Sequence, residues 1–151
     1  MTSERGWEIL AHTADAGVRA WGPTPAAALG RAVLGMLAIV VPPERVRPAR
    51  SWTVHVTAPD PDLLLFNLLD EVLYLHHVAG LLAHEVEVTA AGPPGSPGED
   101  GGAWRARAVV RGETLDRDRH DPGTEIKAVT LHGIALAPEG DRWVARVVFD
   151  L

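Results

Sequence analysis

Three oxygen-bearing groups near the two ends of the chain, Asp15, Asp150 and the carboxylate of Leu151, are of the type that holds a hard cation. Asp150 and Leu151 adjoin at the close of an alternating strand, so two anions meet there and repel unless something positive lies nearby. A divalent cation would relieve that repulsion, with Asp15 as third oxygen donor. Two other readings stay open: Asp15 could serve an Asx-turn, and Asp150 could pair with an arginine. The chain has no cysteine, so zinc would lack its preferred thiolates. Carboxylates suit Mg²⁺ or Ca²⁺ better, with Mn²⁺ a further candidate. Lys127 is the only lysine among 14 basic residues, which hints at a task arginine cannot do. Of the seven histidines, His12, His120 and His132 fall near turns or among polar groups. His76 and His77 come late in an apolar helix, where they favour its dipole, and His55 and His84 read as strand surface residues. The run Gly112 to His120 is dense in charge and reads as a solvated loop.

Other chemistries find no support. There is no phosphate-binding glycine loop, dinucleotide fingerprint, metalloprotease helix motif or Gly-x-Ser-x-Gly elbow. The three serines, Ser3, Ser51 and Ser96, lie in no strand-to-helix turn.

These side chains must be positioned by elements that the pattern also suggests. Residues 7–12 read as a short strand, 13–17 as a turn, and Val18–Trp21 as the second arm of a hairpin. Thr24-Pro25 opens a helix whose apolar positions, Leu29, Ala32, Val33, Met36, Leu37 and Val40, recur at helical spacing until Pro42-Pro43 stops it. Trp52, Val54 and Val56 alternate as a strand. Asp60-Pro61 opens a second helix, apolar almost all round, with Asn67, Asp70, Glu71 and Tyr74 on one polar stripe and Gly80 as its cap. Val86 and Val88 alternate in a further strand, and Gly92–Gly102 reads as a hairpin loop. Trp104–Gly112, Ile126–Ala137 and Arg142–Asp150 read as three more strands. In the last of these, Trp143, Ala145, Val147 and Phe149 share a face. The order ββαβα followed by four strands implies an α+β fold: a mixed sheet of about six to seven strands with two helices packed on one face.

At 151 residues the chain suits one domain, 1–151, able to bury a core without disulfides or metal staples. A hydrophobic fraction of 46% excludes a disordered chain. The net charge of −6 argues against broad binding to a phosphate backbone. The longest apolar stretch, Ala32–Val41, is too short to span a bilayer, and no targeting segment is visible, so the expected location is cytoplasmic.

Four separated motifs carry a resemblance to a known family. They are Trp7-Glu8 with His12-Thr13-Ala14-Asp15-Ala16-Gly17, then Asn67-Leu68-Leu69-Asp70-Glu71-Val72-Leu73-Tyr74-Leu75. Next come Gly112-Glu113, Asp116, Arg119-His120 and Ile126-Lys127-Ala128-Val129-Thr130-Leu131-His132, and finally Trp143 to Leu151. In this order they span essentially the whole chain and resemble the archease family. The resemblance implies an α+β cytosolic cofactor protein of the RtcB-type RNA ligase, not an enzyme itself. Such a protein promotes guanylylation of the ligase histidine and multiple turnover, and broadens nucleotide triphosphate use. It further implies a metal site on Asp15, Asp150 and Leu151, and matches the family's lysine to Lys127. His12 and His132 would face the partner or its phosphates, and RNA would be met only through the ligase. Leu131 stands where the family usually has tyrosine, and Ala16 where it has valine or isoleucine. Two other functions are compatible with these residues: a small metal-dependent phosphoester hydrolase using His12 or His132 as base, and a general chaperone.

Overall fold

A computed structural model of the chain describes residues 5–11, 14–91 and 103–151. Strands β1 (Trp7–Ala11) and β2 (Asp15–Gly22) are followed by helix α1 (Pro25–Ala38), a 3-10 turn (Pro43–Arg45), β3 (Arg50–Ala58) and α2 (Pro61–Ala79). Then come β4 (Leu81–Ala91), β5 (Trp104–Thr114), the short helix α3 (Arg117–His120), β6 (Ala128–Val129), β7 (Ala135–Glu139) and β8 (Arg142–Asp150).

The helices begin where the capping chemistry puts them. Thr24 Oγ1 accepts the Ala27 N–H at 3.1 Å and Asp60 Oδ1 accepts the Leu63 N–H at 2.9 Å, each just before a proline at the first helical turn. Gly80 closes α2 at φ 70°, and its N–H returns to the His76 carbonyl.

The α+β class holds, but the strands form two antiparallel sheets rather than one mixed sheet. The first runs β1-β2-β8-β6, and β7 pairs with β8 as well. The second runs β3-β5-β4. Both α1 and α2 pack against strands of each sheet, so they are not confined to one face of one sheet. The cause lies in the patterning. Each sheet has one apolar face: Ala16, Val18, Ala20, Ala145, Val147 and Phe149 in the first, and Val54, Ala58, Trp104, Ala106, Ala108 and Val110 in the second, all buried. A helix apolar nearly all round cannot be satisfied by a single sheet. In α2, Leu64, Leu65, Leu68, Leu69 and Val72 are fully buried, each contributing ~1.5–3 kcal/mol of transfer free energy. The polar stripe is where expected, with Asp70, Glu71 and Tyr74 exposed.

Two local expectations change. Asp15, Ala16 and Gly17 belong to β2, not to a turn, because Ala16 is buried opposite Phe149. The Ile126–Ala137 stretch breaks into β6 and β7, which lie along the same edge of β8 and are separated by residues 130–134. Among the described residues five strands therefore follow α2, not four. The 92–102 loop lies outside the described residues. Among the described residues no helix is long and apolar enough to cross a membrane.

Candidate functional site

β2 and β8 pair antiparallel with Asp15 directly opposite Asp150. Leu151 N donates to the Ala14 carbonyl at 3.3 Å. A bond linking the residues just outside a pair marks it as non-hydrogen-bonded, the kind in which facing side chains come closest. On the other edge of β8, Ala128 pairs with Asp150, and Lys127 N donates to the Asp150 carbonyl at 2.8 Å. Asp15, Lys127, Asp150 and Leu151 thus converge on one end of the five-stranded sheet. Asp15 is half-buried, whereas Asp150 and Lys127 are exposed. Alternation puts both aspartates on the sheet face away from the helices, since Ala16 and Phe149 occupy the inner face.

Two carboxylates facing each other across strands destabilise the pair unless compensated. Among the described residues no cation pairs with either aspartate, and neither carboxylate accepts a hydrogen bond. The Asx-turn and arginine-pairing alternatives therefore find no bond here. A donor set of carboxylate oxygens, open to water on one side, suits a hard divalent cation. His132 lies on the exposed 130–134 connection, its N–H on Thr130 Oγ1 at 3.3 Å, while Thr130 Oγ1 donates to the Val148 carbonyl at 2.8 Å. Leu131 beside it is 59% exposed. His12 lies outside the described residues.

A second cluster overturns the reading of 112–120 as a solvated loop. His120 is fully buried and Glu113 nearly so. The Asp116 N–H donates to His120 Nδ1 at 2.8 Å, so the ring proton sits on Nε2, which donates to Glu113 Oε1. Arg119 Nη2 donates to the same oxygen. Bonding to Arg119 above all, helped by His120, outweighs burial and holds the Glu113 carboxyl at a pKa of about 2. Arg45 Nη1 adds a bond to the His120 carbonyl at 2.9 Å. The sequence signal was the Glu113/Arg119/His120 spacing, but charge density masked it.

A third group lines a cleft of about 320 Å³ between the end of α2 and residues 122–125. His76 and His77 stand on one wall, Pro122, Gly123 and Glu125 on the other, with Arg117 nearby. His76 Nδ1 donates to the Leu81 carbonyl at 2.8 Å, and burial holds its pKa below 6.5. His77 Nε2 donates to the Ile126 carbonyl at 2.8 Å.

The fold and this sheet end define an α+β protein built on two antiparallel sheets that enclose a helical pair, with an acidic cross-strand pair between inner strands at one end. The family model described as "Archease protein family (MTH1598/TM1083)" matches residues 7–151. Curated archeases of Thermococcus gammatolerans and Methanopyrus kandleri are 37% and 36% identical, over 97% and 96% of this chain and 99% of each relative. The solution structure of Methanobacterium thermoautotrophicum protein 1598 superposes with a TM-score of 0.81 at 28% identity, covering 97% of this chain and 99% of that one. A Thermotoga maritima structure described as an archease and possible chaperone shares the fold, with a TM-score of 0.54 at 16% identity over 95% and 96% of the two chains. The chain belongs to the archease family.

Proposed function

We propose that this protein is a cytoplasmic accessory factor of an RtcB-type RNA ligase, promoting guanylylation of the ligase histidine and repeated turnover, and widening the triphosphates it accepts. The carrying observation is the Asp15–Asp150 pair, two facing carboxylates with no cationic partner among the described residues. Asp15, Asp150 and the carboxylate at Leu151 would hold a divalent cation, Ca²⁺ or Mg²⁺, with Mn²⁺ as an alternative. Such an ion supplies positive charge that orients and neutralises triphosphate oxygens.

This chain's own residues supply the rest. Lys127 is exposed one position before the Ala128–Asp150 pairing and adds a compact, strongly hydrated point charge. His132, exposed on the neighbouring connection, can donate to phosphate oxygens. A net charge of −6 suits a partner that is basic because it holds RNA. RNA is then engaged through the ligase. Against a chaperone role, only Leu10, Tyr74, Val78 and Leu131 are large, apolar and exposed among the described residues, too few for promiscuous capture of unfolded chains.

The test mixes purified protein, ligase and GTP and follows guanylylation. Asp15→Ala and Asp150→Ala are expected to abolish stimulation while leaving the fold intact by circular dichroism. Stimulation equal to wild type by both variants would remove the cation from the mechanism. Phosphoester turnover by the isolated protein would instead favour the hydrolase.

A further inference from the structure

Residues 121–127 form a strap that leads from α3 to the Lys127–Asp150 contact. The strap lies outside the strand ladder, since β6 starts only at Ala128. Behind it lies the cleft of about 320 Å³, so packing does not hold Pro122, Gly123 and Glu125 from that side. Its course therefore depends on a few anchors. Gly123 N donates to the Val40 carbonyl at 2.8 Å at the end of α1. The Ile126 side chain is fully buried. His77 Nε2 donates to the Ile126 carbonyl at 2.8 Å, and Lys127 N donates to the Asp150 carbonyl at 2.8 Å.

Arg45 Nη1 reaches the Asp121 carbonyl at 3.3 Å at the start of the strap, but at its Lys127 end the side-chain donor to a backbone acceptor is His77, which acts on the residue next to Lys127. Residue 77 is exposed on α2, whereas its neighbour His76 is buried and bonded to the Leu81 carbonyl at the start of β4. We infer that His77 is a positioning residue: through its bond to the Ile126 carbonyl it fixes the strap and so sets where Lys127 stands beside the Asp15–Asp150 pair. The part of this inference that concerns stimulation rests on the function proposed above, whereas the structural part does not.

Lys127 being the only lysine makes the test direct. Reductive methylation with ¹³C formaldehyde gives one lysine dimethylamino resonance, separate from that of the N-terminus. In wild type that resonance should be dispersed from free lysine and broadened. His77→Leu, which keeps bulk but donates nothing, should move it toward the free position and sharpen it. His77→Gln, whose amide N–H can reach the same carbonyl, should restore the wild-type signal. Calorimetric Ca²⁺ binding should be unchanged in both variants, because the oxygen donors are untouched. Guanylylation at saturating protein should fall by about tenfold in His77→Leu, with recovery in His77→Gln, the size typical for lost outer-sphere support.

An unchanged lysine resonance in His77→Leu overturns the inference, whatever the ligase does. If wild type itself gives no stimulation, the proposed function fails, and the resonance still decides the positioning role. Should His77→Leu not fold, His77→Asn replaces it: its shorter amide falls short of the carbonyl, and it should behave as the leucine variant does.

Discussion

The facing carboxylates of Asp15 and Asp150 make a prediction whose sign depends on the cation. In chelator, Asp150→Asn removes a like-charge contact across strands and should raise stability by about 0.2–1 kcal/mol. With millimolar Ca²⁺, wild type should gain stability by mass action, whereas the variant should gain less. Thermal melts of both proteins in EDTA and in Ca²⁺ check this, and a variant that loses stability in EDTA would show that the pair is not repulsive. What the sequence offers here is residue type: Asp15, Asp150 and Leu151 stand out by charge and Lys127 by its singularity, whereas their convergence comes from the pairing of β2, β6 and β8. Burial was not readable. Glu113 and His120 looked like members of a solvated charged run, yet they form an enclosed network, because a charge paired and hydrogen-bonded can be buried and a string of letters does not display its partner.

At the scale of elements, caps and prolines mark the starts of both long helices and Gly80 the end of α2, since these signals are local, whereas α1 stops at Ala38, ahead of the Pro42-Pro43 pair. Strand limits were harder. Asp15-Ala16-Gly17 has turn composition but is held extended by eight residues of pairing with β8. Ile126–Ala137 looked continuous but splits, since β8 offers pairing to β6 at one end and to β7 at the other. One element-level position is sharply constrained. A Cβ on Gly112 would sit 1.7 Å from the Leu82 carbonyl oxygen, at the register shift between Ala83 and Glu85. Gly112→Ala must therefore move backbone, and a loss of roughly 1–3 kcal/mol is expected by urea denaturation. Gly133→Ala, with no atom near its missing Cβ but φ 69°, should cost less, about 1 kcal/mol. A Gly112→Ala loss no larger than that of Gly133→Ala would show that the strands relax around the added Cβ.

For the molecule as a whole, acid stability should fall in two windows. His76 has its pKa lowered from 6.5 by burial, so protonation favours the unfolded chain and stability declines as pH drops below 6.5. Glu113 has its pKa lowered from 4.5 to about 2, so its ionised form stabilises the fold fully above 4.5 and progressively less as pH falls toward 2. Glu113→Gln should flatten the lower window, leave the upper one in place and lower stability at neutral pH, all read from urea midpoints across pH. A lower window that survives the substitution would assign it to other carboxylates.

The sequence by itself determined where the two long helices start, which faces are apolar, and which side chains have the chemistry to hold a cation, because each of these follows from residue type and neighbours a few residues apart. Tertiary structure alone decided that the strands divide into two sheets around the helices, and that the first hairpin and the last strand bring Asp15 against Asp150. Which strand edges meet depends on burying every apolar surface at once, and that is a property of the whole chain rather than of any stretch of it.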